Sequence, residues 1–166
     1  LWMFAILRHY GILQRIIDAI ATLNNDSSAV VFVEGQTSER FGVNTGVLQG
    51  DVLALYLFTI VMDYVLANST QGEVGYEYQP RRRSSRQPAR LIEDLDFADD
   101  IALIESSIER AGILLRKLDE HAQATGLIVN CEKTEHLRLN INDPTDLKLG
   151  DKTIRQVDDL KYLGSL

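Results

Sequence analysis

Two adjacent aspartates, Asp99 and Asp100, are the residues of this sequence with the clearest potential for chemistry. They stand between apolar runs, and neighbouring carboxylates repel each other unless a cation or a proton compensates their charge. Mg²⁺ takes one or two carboxylates together with water and substrate phosphates. The pair is therefore suited to phosphoryl transfer, in which two ions roughly 4 Å apart activate the attacking hydroxyl and stabilise the leaving oxygen.

Two further interpretations apply to the same acidic pair. Aspartate is a favoured turn residue, so Asp99 and Asp100 also fit a solvated acidic turn. A calcium-binding loop counted from Asp94 fits poorly, because an EF-hand loop requires glycine where this sequence has Asp99, and Phe97 interrupts the acidic run.

Flanking periodicity predicts that a hairpin carries the acidic pair at its tip. Residues 91–97 and 101–104 are strand candidates joined by a short connection through Ala98. Ser106 or Ser107 is the expected cap of the following helix, which ends at Gly126. Its apolar stripe predicts packing on a sheet and consists of Ile108, Ala111, Leu115, Leu118 and Ala122.

Three helices are predicted before the acidic pair. Residues 1–8 read as the end of one helix, and residues 13–23 have the apolar spacing of a second. Residues 52–68 are apolar all round, so they are expected to form the central core helix. Asp51 is the expected cap of that helix.

The remaining strands are predicted to be short. Residues 29–34 and 39–43 form a hairpin around a turn at 36–38. Residues 71–90 combine glycine, proline and an arginine run, so they are expected to form a flexible insertion. Further strand candidates are residues 127–130, 136–140, 153–156 and 160–163. Helices interspersed with mostly antiparallel strands indicate an α+β domain covering residues 1–166.

Charge and composition restrict the possible partners. The net charge of −7 opposes binding of a polyanion, since such binding depends on Lys and Arg replacing counterions. The charge is uneven, however, because five arginines fall within ten residues: Arg81, Arg82, Arg83, Arg86 and Arg90. The apolar stretch 52–66 is shorter than the roughly 20 residues of a spanning helix, so no membrane is expected. A single cysteine, Cys131, fits an intracellular setting.

Four strings in a fixed order extend across nearly the whole chain. They are GVLQGD at 46–51, DLDFADDIALIES at 94–106, GLIVNCEKTE at 126–135 and LKYLGSL at 160–166. Each string alone is weak, but their order and intervals are specific. Together they resemble the successive motifs of reverse transcriptases of non-LTR (LINE-type) retrotransposons. The resemblance implies a palm-like antiparallel sheet backed by helices, and a polymerase that uses Mg²⁺ (or Mn²⁺), an RNA template, a DNA primer and a dNTP.

By that resemblance, Asp99 and Asp100 match the metal-binding and catalytic acids of the family's aromatic-x-Asp-Asp motif. Phe97 and Ala98 complete the motif, and Phe97 is expected to bury against the sheet and fix the turn. Lys133 matches a lysine near the leaving phosphates that could donate a proton, although a plain surface lysine fits equally well.

Two further stretches match parts of the family that contact nucleic acid or nucleotide. Gln49 and Gly50 match the loop that approaches the template and the nascent base pair, where glycine lets backbone come close. Tyr162, Leu163 and Gly164 match the hairpin that supports the primer end. Without the resemblance, this last stretch would be only a strand entering a turn.

The match is incomplete in ways that bear on activity. The family's other metal-binding aspartate lies on a strand before the first helix, and no residue here takes its place. The fingers and the thumb are likewise expected to lie outside these 166 residues, so the chain is expected to be an inactive fragment in isolation. Leu13, Val52 and Leu55 stand where relatives commonly have proline, and Leu48 where a basic residue is frequent. These departures leave open a degenerate or repurposed interaction module without enzymatic activity.

Overall fold

The computed structural model describes residues 2–24, 28–43, 51–72, 75–79 and 90–164. Within them lie four helices and twelve short strands, so the α+β composition is confirmed. The predicted loop with Gln49 and Gly50 lies outside these residues, and so do the arginines from 81 to 86. Contacts divide the chain into two compact units, Leu1–Val61 and Met62–Leu166.

The elements alternate between helices and short paired strands. The helices are α1 (Trp2–His9), α2 (Gln14–Asn24), α3 (Val52–Thr70) and α4 (Ile108–Thr125). The strands of the first unit are β1 (Ser28–Ala29), β2 (Phe32–Val33), β3 (Gln36–Thr37) and β4 (Phe41–Gly42). Those of the second unit are β5 (Tyr76–Gln79), β6 (Arg90–Ile92), β7 (Asp94–Phe97), β8 (Asp100–Leu103), β9 (Glu135–Leu137), β10 (Lys148–Leu149), β11 (Lys152–Thr153) and β12 (Arg155–Val157).

The first unit is built on packed helices. The expected break between α1 and α2 is confirmed, and Gly11 takes a positive φ of 75° after α1. The Asp51 carboxylate accepts a hydrogen bond from the Leu53 N–H at 2.9 Å, which confirms the predicted cap of α3. The buried cluster consists of Leu7, Ile17, Ile20 and Leu57.

Residues 28–42 form the predicted first hairpin, but with a different turn. β1 pairs with β4 and β2 with β3, both antiparallel. The loop consists of Glu34 and Gly35, whose φ angles of 49° and 81° are those of a type I′ turn. The predicted turn at 36–38 is therefore wrong, because Gln36 and Thr37 already belong to the returning strand.

Helix α3 is only partly the core helix that its composition predicts. Val52 is 72% exposed, and Leu55 and Tyr56 are also exposed, whereas Val65 is fully buried further along. The helix continues past the apolar stretch to Thr70, and by length and composition it could cross a membrane. Only a third of its apolar window is buried inside the protein, whereas a core helix is mostly buried, and a single helix of this kind is weak support for a span.

Helix α4 has both of its predicted ends. The Ser107 hydroxyl accepts a hydrogen bond from the Arg110 N–H at 3.3 Å, so Ser107, rather than Ser106, is the cap. Gly126 ends the helix at a φ of 88°, and its N–H binds carbonyl oxygens of the last turn. Leu115 packs in a buried cluster with Leu147, Leu149 and Ile154, which confirms that this helix packs on strands.

The strands of the described residues do not merge into one sheet. They form six separate two-stranded ladders, of which β9–β12 is parallel and the other five are antiparallel. Residues 127–130 were predicted as a strand and are not one; Asn130 instead accepts the bonds of a turn. The expected strand at 160–163 is reduced to a single bridge at Tyr162.

The predicted flexible insertion at 71–90 contains a strand. Within its described part, β5 pairs antiparallel with β6. Gly75 precedes β5 with a φ of 62° and is buried against the backbone of Ile92. A Cβ atom added at Gly75 would lie 2.6 Å from Glu93 Cγ and 2.8 Å from the Ile92 carbonyl oxygen. Glycine is therefore required there both by conformation and by space.

Gly75→Ala is expected to lower the free energy of unfolding by about 2 kcal/mol, from positive-φ strain plus overpacking. Gly72→Ala is the matched control, since Gly72 also has a positive φ (83°) but no atom within 4 Å of an added Cβ. It should cost about half as much, from strain alone. Urea unfolding measures the free energy of unfolding of both variants. Equal decreases would show that the close approach of Ile92 and Glu93 to Gly75 does not affect stability.

Candidate active-site hairpin

The acidic pair lies at a hairpin tip, as the sequence predicts. β7 and β8 pair antiparallel from Asp94↔Leu103 to Phe97↔Asp100, which leaves a loop of only Ala98 and Asp99. Ala98 has a positive φ of 57° and Asp99 does not, so an alanine occupies the left-handed position of this turn. Because the loop has only two residues, the ladder ends directly at the acids.

Both acids are open to solvent, and so is the aromatic residue of their motif. Residues directly opposite in an antiparallel pair share a face, so Asp100 projects on the same side as Phe97. The side chain of Phe97 is 64% exposed. The expectation that Phe97 buries against the sheet is therefore wrong, because strand β7 presents that face to solvent and no described element covers it.

The opposite face of β7 carries two more carboxylates. Asp94 and Asp96 alternate with Leu95 and share their face with residues of β8 that are partly buried. Burial raises the pKa of Asp94, and the charges of Asp96 and Glu93 raise it further. Acids thus lie on both faces of the hairpin, but only Asp99 and Asp100 stand at its tip.

Tyr162 reaches this hairpin from far along the chain. Its hydroxyl lies 3.1 Å from the carbonyl oxygen of Leu95 and 3.4 Å from that of Asp100. Desolvation raises the pKa of the phenol, with further contributions from Asp96, Asp100 and Asp94. The phenol therefore stays protonated and donates at neutral pH. Of the predicted site residues outside the hairpin that the structure describes, Tyr162 is the one with a hydrogen bond to the acidic hairpin.

Lys133 stands on a turn organised by Asn130. The Asn130 side-chain oxygen accepts hydrogen bonds from the N–H groups of Glu132 (3.1 Å) and Lys133 (3.3 Å), and its carbonyl oxygen accepts from Thr134 at 2.9 Å. This side-chain turn holds the backbone and leaves the lysine exposed. Among the described residues, no hydrogen bond joins Lys133 to the hairpin.

The other predicted site residues are only partly placed. Leu163 and Gly164 follow Tyr162 in a turn with positive φ angles of 50° and 84°. Gln49 and Gly50 lie outside the described residues, so their relation to the hairpin stays a prediction.

The donors at the tip suit a hard divalent cation. Carboxylate oxygens are the ligands that Mg²⁺ and Mn²⁺ prefer, and two of them leave room for water and substrate phosphates. Nowhere in the described ranges do three His, Cys, Asp or Glu side chains form a group able to hold a metal. Asp99 and Asp100 therefore fit part of a metal site and need further ligands from elsewhere.

Two residues that position the site were not singled out from the sequence for that purpose. Asn130 could have been recognised, since asparagine before a run of polar residues is a signal for a side-chain turn. The contact between the Tyr162 hydroxyl and the hairpin has no local signal, because 62 and 67 residues separate its partners.

The strained loop residue provides a stability test. Ala98→Gly removes the cost of about 1–2 kcal/mol of a left-handed alanine and adds about 0.5–1 kcal/mol of backbone entropy. The hairpin should therefore become more stable by about 0.5–1 kcal/mol. The control is Ala102→Gly in β8, where φ is not positive, which should destabilise it by about 0.5–1 kcal/mol. Urea unfolding, followed by probes on this hairpin, measures whether each variant raises or lowers the free energy of unfolding. If both variants lowered it, Ala98 would not be strained.

The hairpin with its acidic tip has the form that the sequence resemblance predicts. Residues 3–165 match the family model described as reverse transcriptase (RNA-dependent DNA polymerase). The chain belongs to this family.

Relatives of the chain belong to retrotransposable elements. It is 29% identical over 127 residues to a Pol polyprotein from a type-1 retrotransposable element R2 of Popillia japonica, covering 76% of the chain and 20% of the relative. It is 25% identical over 169 residues to a Pol polyprotein from a type-2 retrotransposable element, R2DM, of Drosophila melanogaster, covering 95% of the chain and 15% of the relative. A putative transposon-derived protein of Caenorhabditis elegans is 34% identical over 83 residues, 48% of the chain and 30% of the relative. The chain thus spans less than a third of the length of each.

Proposed function

We propose that this chain is the palm portion of an RNA-directed DNA polymerase of a non-LTR retroelement. The parent reaction is transfer of a nucleotide from a dNTP to the 3′ hydroxyl of a DNA primer on an RNA template, inside the cell. The observation that carries the proposal is the exposed pair Asp99 and Asp100 at the tip of β7–β8, in a chain that matches the reverse transcriptase family over nearly its whole length.

Asp99 and Asp100 would hold a divalent cation in the parent enzyme. The bound ion supplies Lewis-acid stabilisation of the phosphoryl oxygens. The residues of the chain contribute by fixing two carboxylates on a loop of two residues, so that the ladder of β7–β8 limits how far they can move. Their exposure at the tip leaves the approach of a triphosphate open.

Lys133 would act on the leaving phosphates. An exposed ammonium on a turn held by Asn130 can bind a phosphate oxygen, and it can donate a proton as pyrophosphate leaves. The backbone bonds to Asn130 fix where the lysine side chain begins, and its flexible stem provides the reach.

The remaining site residues would contact the nucleic acid. Gln49 and Gly50 would approach the template and the nascent base pair, while Phe97 and Ala98 would lie beside the incoming nucleotide. The exposed ring of Phe97 supports this role, since an aromatic side chain open to solvent is available for contact with a sugar or a base. The turn at Tyr162, Leu163 and Gly164 would support the primer end.

The 166-residue chain alone is expected to show no polymerisation. A two-ion site needs a carboxylate that bridges the ions, and the carboxylates at the tip are limited to Asp99 and Asp100 among the described residues. The net charge of −7 also weakens binding to a polyanionic template. Fingers, thumb and the additional aspartate would come from the longer protein, as the coverage of the relatives suggests.

Primer extension by a longer protein that contains this sequence tests the proposal. The assay supplies an RNA template, a DNA primer, dNTPs and Mg²⁺, and it compares this protein with the 166-residue chain. Extension by the longer protein alone is the expected result. An intact longer protein, with an upstream aspartate strand in frame, that extends no primer would contradict the proposal.

The alternative is a degenerate copy that persists as a non-enzymatic interaction module. Val52 and Leu55 favour it, because these apolar side chains are exposed at the start of α3. By the resemblance stated for the sequence, both stand at positions where proline is common. Such a module would remain folded and still fail to extend a primer with every missing segment restored.

A further inference from the structure

We propose that Tyr162 is a positioning residue whose hydroxyl braces the hairpin that carries Asp99 and Asp100. This goes beyond a contact with the primer end, since the hydroxyl is directed at the protein's own backbone. The catalytic meaning of the brace rests on the proposed function, whereas its structural effect does not.

The hairpin is an element that needs support. β7 and β8 form a ladder of four residue pairs, and within the described residues neither strand pairs with a third one. A two-stranded hairpin is marginally stable in water by itself. The left-handed Ala98 in its loop adds strain at the end that must be held most firmly.

The contact lies where it can restrain both strands. Leu95 belongs to β7 and Asp100 to β8, so one phenol oxygen lies between a carbonyl from each strand at 3.1 and 3.4 Å. A single hydroxyl hydrogen is shared between the two acceptors or alternates between them. Because Asp100 accepts through its own backbone carbonyl, a shift of Tyr162 moves the residue that carries one of the two tip carboxylates.

The phenol can serve as the donor that this position needs. Its hydroxyl carries one hydrogen, and the two backbone carbonyl oxygens that face it can only accept. Phenylalanine keeps the ring and loses only this donor.

Hydrogen exchange on the 166-residue chain tests the brace with Tyr162→Phe. The amides of residues 96–101 are expected to exchange about fivefold faster, the effect of one net hydrogen bond, while those of α4 stay unchanged. Tyr56→Phe is the matched control, because it removes an exposed phenol hydroxyl from α3 and should leave the hairpin unaffected. Unchanged exchange at 96–101 overturns the proposal. So does an equal increase throughout residues 62–164, because it would indicate general support of the fold.

Steady-state kinetics of the longer polymerase separate positioning from primer binding. Tyr162→Phe is expected to lower kcat about fivefold and to leave the KM for primer–template unchanged. A raised KM with unchanged kcat would assign the hydroxyl to the primer and overturn the brace. If the longer protein extends no primer at all, the proposed function fails, and the exchange experiment alone decides the role of Tyr162.

Discussion

Asp99→Ala in a longer reverse transcriptase that carries this sequence is expected to lower kcat for primer extension by about 1000-fold. Metal-assisted charge stabilisation contributes several kcal/mol to phosphoryl transfer, and a loss of about 4 kcal/mol corresponds to that factor. The carboxylate lies exposed on a loop of two residues, so its removal should leave the ladder of β7–β8 in place. Single-nucleotide incorporation under saturating dNTP measures the effect.

The control for this change is Asp151→Ala. Asp151 is also an exposed acid in the turn of a short hairpin, between β10 and β11, but it belongs to no motif of the site. Its replacement should leave kcat within about twofold. If Asp99→Ala retained more than a tenth of the activity while Asp151→Ala retained all of it, Asp99 would not hold the catalytic ion.

The acidic tip was predictable because its signals are local. Asp99 and Asp100 lie between two apolar runs, and a hairpin that brings those runs together must turn at the residues between them. The same holds for the ends of α4, where Ser107 and Gly126 each satisfy backbone groups within one turn of the helix. At such positions the residue type itself provides the hydrogen bond or the backbone conformation that the helix end requires.

Exposure was less predictable than position. Phe97 was expected to bury against the sheet as the aromatic residue of the motif, yet burial depends on which other element covers the face on which it projects. The start of α3 presents the same problem, since its apolar side chains do not reveal which of them meet a partner. These contacts are long-range, and sequence periodicity contains no information about them.

In the last third of the chain one local signal was overlooked, and the strand pairing has no local signal. Residues 127–130 are rich in apolar and β-branched side chains, but Asn130 draws the backbone into a turn. The parallel pairing of β9 with β12 joins segments that are separated by the β10–β11 hairpin. The contact of Tyr162 with the acidic hairpin is of the same kind, because tertiary packing alone creates it.

The second large effect concerns the core that supports these strands. Ile154→Ala is expected to lower the free energy of unfolding by about 3–4 kcal/mol, as measured by urea unfolding. Ile154 is 1% exposed and packs with Leu115 of α4 and with Leu147 and Leu149. The loss combines the transfer free energy of the removed methylene and methyl groups with the cavity that remains, because α4 is held at both ends and collapses poorly onto the gap.

A graded series tests whether packing, rather than the mere presence of a mutation, causes the loss. Ile154→Val removes a single methylene group and should cost about 1 kcal/mol. Leu139→Ala is the exposed control at 71% exposure, and its unfolding free energy should change by less than about 0.5 kcal/mol. Leu103 of β8 packs against the same cluster, so Ile154→Ala should also speed hydrogen exchange in the acidic hairpin. A hairpin that exchanged at an unchanged rate in a destabilised core would show that β8 does not depend on this cluster for its position.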